Sequence, residues 1–255
     1  MFSSEERCIL KNNQLAEVIC QFRFPDILII NTQLPAQFQD VIRSEFPLFS
    51  SRKEIPATQA VDSVHASPII NYQFASADNN WRINLTCNFI SLSCRKYTCW
   101  EDFANKLDKP LAAFIQIYQP AYFSRIGLRY LNFISRKKLA LAHIPYSELI
   151  QPAYLGLMGL DNMNETAMSR STVDAEMTIQ GGCRLKIHAG PGKVSSNGIA
   201  QEEVHFILDQ DLFTGGNIPI HSSTSTLHTL HRQAYPIFRS AIHDTLFDAM
   251  DPAPI

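Results

Sequence analysis

The chain has 255 residues, of which 45% are hydrophobic and 18% charged, and its 22 Lys and Arg against 24 Asp and Glu leave a net charge of -2. That length accommodates one large domain or two small ones with a substantial core, and the charge balance gives no general attraction to nucleic acid or to an anionic membrane, although it leaves room for a local basic patch. The apolar runs are cut by charge or proline before the roughly 18 residues that a membrane helix needs; with no basic segment ahead of an apolar run at the start, and six cysteines of which Cys8, Cys20, Cys87 and Cys183 lie in or beside apolar segments, the expectation is a cytoplasmic protein with reduced thiols.

Residues 1–13 are polar and predict a loose start as far as Ile9. Val18, Cys20, Phe22 and Phe24 alternate with Glu17, Gln21 and Arg23, which is the period of a strand with one face in the core; Ile19 is an exception and Pro25 ends the run. Thr32 as N-cap and Pro35 in the first turn open a helix with the stripe Leu34, Phe38, Val41, Ile42 and Phe46, stopped by Pro47. Residues 49–66 lack a period and read as a loop or a short edge strand. Ile69–Phe74 and Trp81–Phe89 flank the turn residues Ala77–Asn80 as a hairpin. Ile90 and Leu92 continue one residue out of register, which calls for a bulge near Phe89–Ile90 or a new strand. Thr98, with Glu101 three residues on, caps a helix carrying Trp100, Phe103, Leu107, Leu111, Phe114, Ile115 and Tyr118, and Pro110 predicts a kink or a break in it.

Phe123–Ile134 reads as the central strand. Ile126, Leu128 and Tyr130 alternate with Arg125, Gly127 and Arg129, and both faces turn mostly apolar from Leu131 onward. Arg136-Lys137-Lys138 is a basic turn, Pro145–Leu155 holds a short helix, and residues 156–169 are a connection. Val173–Ile179 and Cys183–His188 alternate on either side of Gly181-Gly182, a hairpin signal, and a third strand carries Val204, Phe206 and Leu208. Ser222–Met250 predicts one long amphipathic helix with the stripe Leu227, Leu230, Ala234, Phe238, Ala241, Ile242 and Leu246, bent by Pro236. The fold class is therefore α+β, a mainly antiparallel sheet with two long helices in one domain over 1–255. Two pseudo-repeated lobes, 14–138 and 139–255, share one sheet in this reading.

The chemistry is sparse. His228 and His231 stand three apart on the last helix but lack an HExxH pattern or a placed acid, and Cys87, Cys94 and Cys99 lack the close pairing of a zinc site, so neither metal nor cofactor is expected. Cys99 gains only a helix start as an activating feature. Gly190-Pro191-Gly192-Lys193 lacks the spacing of a phosphate loop and reads as a long hairpin turn. Asp174, Glu176, His188 and His205 are weak catalytic candidates on polar strand faces. Cross-strand pairing of the acids with Arg184, Lys186 and His188 accounts for most of them as well. Arg125 and Arg129, with Tyr130 and Tyr97 beside them, form the strongest candidate ligand-binding set, suited to an anion or a nucleic-acid backbone. Pairing with acids is the plain alternative.

Glu17-Val18-Ile19-Cys20-Gln21-Phe22-Arg23-Phe24-Pro25, Ile90-Ser91-Leu92-Ser93 with Tyr97 and Trp100, Arg125-Ile126-Gly127-Leu128-Arg129-Tyr130-Leu131-Asn132, and Phe206-Ile207-Leu208-Asp209 with the closing helix resemble a sporadically distributed family of uncharacterised bacterial proteins over nearly the whole chain. The resemblance implies a bacterial cytoplasmic protein and, from that family's patchy spread, an accessory or defence-type role. It supplies no catalytic residue. The resulting expectation is a non-enzymatic binding protein with a protein partner or self-association, or a small ligand, and no membrane. A small-substrate enzyme using the Asp174, Glu176, Arg184, Lys186 and His188 face, and a nucleic-acid binder using the basic strand, are the alternatives.

Overall fold

The computed structural model describes residues 2–54, 68–160, 163–168, 170–196 and 199–254. The strands are β1 (Ile9–Leu10), β2 (Leu15–Arg23), β3 (Leu48–Glu54), β4 (Ile69–Ala75), β5 (Trp81–Leu85), β6 (Phe89–Cys94), β7 (Phe123–Ile134), β8 (Val173–Thr178), β9 (Arg184–Ser196), β10 (Ile199–Ile218) and β11 (Pro252–Ala253). The helices are α1 (Ile29–Thr32), α2 (Ala36–Ile42), α3 (Trp100–Tyr118), α4 (Pro152–Leu155), α5 (Ser223–Arg239) and α6 (Asp244–Ala249). Among the described residues nine strands form a sheet in the order β3-β4-β5-β6-β2-β7-β10-β9-β8, and β1 pairs with β11. The fold is α+β and mainly antiparallel. No helix among the described residues is long and apolar enough to cross a membrane.

Two compact units emerge: unit 1 comprises 1–18, 128–213 and 228–255, and unit 2 comprises 19–127 and 214–227. Each is assembled from separated segments, unlike the contiguous lobes 14–138 and 139–255 expected from the chain order. In unit 2 the core is aromatic: Phe22 meets Phe123 at 5.0 Å between ring centroids, Phe24 meets Phe114 at 4.6 Å and Phe38 meets Phe74 at 5.5 Å. The buried stripe of α3, including Trp100, Phe103, Leu107 and Phe114, joins that core. In unit 1, Leu128, Leu185, Phe206, Leu208 and Leu212 from the strands and Leu230, Ile237 and Leu246 from the helices are fully or almost fully buried.

Several expectations need correction. The helix after Thr32 is shorter, with Pro35 at its N-cap and Thr32 closing α1, and Leu34 and Val41 of the expected stripe are exposed. The short edge strand that was one of the two readings of 49–66 is present as β3 at the end of the sheet, and the rest of that stretch lies outside the described residues. The strand from Trp81 stops at Leu85; Thr86 then takes the N–H groups of Asn88 and Phe89 on its hydroxyl and turns the chain into β6. Cys99, not Thr98, caps α3, and α3 runs through Pro110 without a break. Gly190-Pro191-Gly192-Lys193 is no hairpin turn but part of β9, paired with Val204–Ile207. The long closing helix breaks at 240–243. There the backbone turns to pair with the segment before α4, through Gln151 N–H to Ala241 O at 2.9 Å and His243 N–H to Leu149 O at 2.9 Å. Within the start expected to be loose as far as Ile9, Ser3 donates its N–H to the Ser240 hydroxyl and Glu5 accepts from Arg239, both at 2.7 Å.

Gly190 marks a close approach. Its φ is +154°, and a Cβ there would stand 2.2 Å from the carbonyl oxygen of Ser171. Backbone cannot retreat as a flexible side chain can, so Gly190→Ala is expected to destabilise the protein by about 1–3 kcal/mol, read as a lower urea midpoint with an unchanged slope.

Candidate functional site

A strand whose inner face is core must satisfy its outer face in the plane of the sheet. On β7, Ile126 and Leu128 are fully buried and Tyr130 is 8% exposed, whereas Arg125 and Arg129 point the other way. Tyr130 therefore does not stand with the arginines. Its hydroxyl lies 3.0 Å from Nδ1 of His231, on the buried side. Tyr97 joins the aromatic packing at the start of α3, 6.2 Å from Phe103. Of the four expected ligand-binding residues, only Arg125 and Arg129 share a face.

In unit 1, Arg129 grips Asp209 with both arms of its fork, Nε to Oδ1 at 2.7 Å and Nη2 to Oδ2 at 2.5 Å. The Asp209 hydrogen bond, and then the charges of Asp209, Asp211 and Glu17, raise the Arg129 pKa still further, against the opposing effect of burial. The row continues outward. Asp209 stands opposite His188, and His188 opposite Asp174, whose carboxylate is 2.7 Å from the ring. One step along, Asp211 faces Lys186 and Lys186 faces Glu176, which also binds Arg184. Asp174, Glu176 and His188 are thus members of a ladder of cross-strand polar pairs. His188 and Asp174 are 42% and 70% exposed in their side chains, an open position rather than the floor of a pocket.

His205 was expected on an exposed face; it is 2% exposed. Its Nδ1 lies 3.2 Å from the carbonyl oxygen of Glu203, and its Nε2 is 3.9 Å from the Glu203 carboxylate, beyond a hydrogen bond. The hub here is Glu203. The Ser135 hydroxyl lies 2.9 Å from both carboxylate oxygens, and Lys137 donates its N–H at 3.1 Å. Burial works to raise the Glu203 pKa, but the N–H of Lys137, the Ser135 hydroxyl and the nearby His205 and Lys137 outweigh it and hold the carboxyl below its ordinary range.

In unit 2 the outer face has a different composition. Phe74, Ile83 and Leu92 point to the core, so Gln73, Arg82, Asn84, Ser91 and Ser93 lie on the other side. Ser50, Gln73, Asn84 and Ser91 stand opposite one another in a row across four strands. The Gln21 side-chain oxygen takes Arg23 Nε at 3.0 Å and Arg125 Nη1 at 3.3 Å. Arg125 lies flat over Gly127, where a Cβ would come 2.3 Å from its Nη1. Among the described residues the face carries Arg23, Arg52, Arg82 and Arg125, and Glu54, which is occupied by the Asn71 amide at 2.8 Å. Asn71 is 6% exposed, and its Oδ1 is buried without a hydrogen-bond partner. This face was only partly legible: Arg125 was singled out, whereas Arg23, Arg52, Arg82 and Asn71 lie on strands far apart in sequence and were not.

Among the described residues no group of three or more His, Cys, Asp or Glu is placed to hold a metal ion. Hollows among the described residues of unit 1 include the following. One of about 250 Å³ is lined by Arg136, His143, Met158 and Glu165. Arg136 there is held by Glu165 at 2.7 Å and lies 4.1 Å over the Tyr146 ring, and burial pushes the Tyr146 phenol up to about 12. The other, of about 410 Å³, is lined by Glu5, Cys8, Tyr235 and Phe247. No protein-family model matches the chain, and a search of curated proteins found no significant match.

Because the folded Glu203 carboxyl has a depressed pKa, its stabilisation is full above the unfolded value of about 4.3. It is lost as pH falls through the folded value. Glu203→Gln is expected to lower stability at pH 7 by about 1–2 kcal/mol. In urea titrations from pH 7 to pH 3 the gap between the variant and the unsubstituted protein should close.

Proposed function

We propose that this is a non-enzymatic binding protein whose ligand or partner presents anionic groups to the outer face of unit 2. The observation that carries the reading is the composition of that face among the described residues: Arg23, Arg52 and Arg82 with amides and hydroxyls across adjacent strands, and Glu54 already bound to Asn71. Guanidinium groups recognise phosphate and carboxylate through paired N–H donors, and amides add directional hydrogen bonds. An acid–base enzyme would instead gather a general base and its partner in an enclosed site. The candidate catalytic pair Asp174 and His188 lies on open sheet, and His205 is enclosed but out of hydrogen-bond reach of its nearest carboxylate. These positions speak against the Asp174, Glu176 and His188 face as an active site.

The basic composition also favours the nucleic-acid reading in one respect, phosphate contact. The outward residues of this face are not the aromatic platforms on which single-stranded bases stack, so a phosphorylated or carboxylated small ligand or an acidic protein segment fits it better. A bacterial cytoplasmic setting and an accessory or defence-type role are consistent with the family resemblance and form part of the same proposal.

Amide chemical-shift mapping with pyrophosphate, a nucleotide triphosphate, a poly-glutamate peptide and a single-stranded oligonucleotide tests the reading. Shifts are expected on β2, β4, β5 and β6, with binding weakened at least about tenfold by Arg82→Glu and retained by Asp174→Asn. A lack of response to every probe, or shifts confined to unit 1, would overturn it. Oligonucleotide binding that survives Arg82→Glu would also remove the face from consideration.

A further inference from the structure

The first residues of the chain lie along the last long helix. Ser3 donates its N–H to the Ser240 hydroxyl at 2.7 Å, Arg239 donates to Glu5 at 2.7 Å, and Cys8 Sγ is 3.4 Å from the Tyr235 hydroxyl. Arg7 reaches deepest. Its Nη1 is 3.0 Å from Nε2 of His231, whose Nδ1 is 3.0 Å from the Tyr130 hydroxyl. His231 and Tyr130 are both 8% exposed.

The donor inventory settles the protonation state of this chain of contacts. A guanidinium has five N–H donors and no acceptor. Nε2 of His231 must therefore be the bare, accepting nitrogen. The single ring proton then sits on Nδ1 and is donated to Tyr130. A second proton can bind only at Nε2, the position that Arg7 occupies, and it would set an imidazolium against a guanidinium. The titratable and charged groups around the ring include Arg7 from the arm, with Glu5, Glu6 and Cys8 beside it in sequence, and Tyr130 from β7. On α5, helical spacing adds His228 and Tyr235 to these. Glu5 is held by Arg239, as is Asp244 of α6.

We propose that residues 3–8 are a pH-gated strap: neutral His231 latches Arg7, and uptake of a proton from water at His231 Nε2 breaks that contact and frees the arm from α5. No covalent bond other than the new N–H is made or lost. Opening would remove the wall that Glu5, Glu6, Arg7 and Cys8 give the hollow of about 410 Å³, baring Tyr235 and Phe247, and would uncover the Cys8 thiol. The strap does not depend on the anion-binding reading of unit 2.

Hydrogen exchange of the peptide covering residues 3–8 in the full-length protein, corrected for intrinsic rates and followed from pH 8 to pH 5, tests the latch across the range in which imidazoles ordinarily titrate. Protection is expected to fall at least about tenfold toward pH 5. His231→Gln offers Arg7 an amide oxygen and Tyr130 an amide N–H, so its arm should stay protected at both ends of the range. Arg7→Met should leave the arm unprotected at both. Exchange of residues 184–189 in β9 reports whether each variant is folded. Protection of the unsubstituted arm that does not change with pH would overturn the proposal. So would an arm in Arg7→Met as protected at pH 8 as the original, or a His231→Gln arm that opens at the original pH. That last result would assign the opening to another group, such as the Glu5–Arg239 pair.

Discussion

A charged side chain on a strand whose other face is core has no depth to retreat into, so its neutralisation must come from the adjacent strands. That constraint organises β7. Arg129 finds Asp209, and the bidentate geometry holds the guanidinium flat against the sheet. Arg125 lies over Gly127 and reaches the Gln21 oxygen. The glycine between the two arginines matters because a methyl group there would occupy the place of the Arg125 guanidinium. Asp209 is only 13% exposed in its side chain. Removing Arg129 would leave that carboxylate half enclosed without its cation, a larger loss than an open surface pair involves.

The same constraint yields different surfaces in the two units. In unit 1 the row runs from Glu17 through Arg129, Asp209 and His188 to Asp174, and the field of Arg129 is spent on the carboxylates beside it. Such a face is well suited to holding register and poorly suited to capturing a charged ligand. In unit 2, Arg23, Arg52 and Arg82 are interleaved with amides and hydroxyls, and among the described residues a buried Asn71 oxygen lacks a donor. Guanidinium groups bound to neutral oxygens keep more of their field for an incoming anion than those already paired with carboxylates.

Alternation was the legible part of this chain because a period of two survives in β2, β7, β8 and β9 wherever one face is core. The pleat itself also separates Tyr130 from Arg125 and Arg129; grouping them by nearness in sequence ignored it. The slip of register at Phe89–Ile90 signalled the new strand β6, whereas the end of β5 at Leu85 was hidden because Cys87 and Phe89 keep the parity of Trp81–Leu85, while the turn is made by hydrogen bonds to the Thr86 hydroxyl. Pro191 suggested a loop and stands instead inside β9, paired with Phe206. The end of α5 was equally invisible. The Ser240 hydroxyl bonds back to Pro236 O at 2.7 Å, and the chain beyond it answers hydrogen-bonding groups of residues 149–151.

The buried histidines were the least legible feature, for a physical reason. Helical spacing placed His228 and His231 together, yet His228 is exposed and His231 is buried. What draws His231 inward is a phenol from β7 on one nitrogen and a guanidinium 224 residues away in sequence on the other. A polar start with no periodicity looks solvated because sequence patterns report burial of apolar area. An arm docked through a succession of specific polar contacts leaves no such trace. Its attachment is correspondingly conditional. Apolar burial hardly responds to pH, whereas a hydrogen bond from a fixed cation to an imidazole lone pair exists only while that lone pair is free.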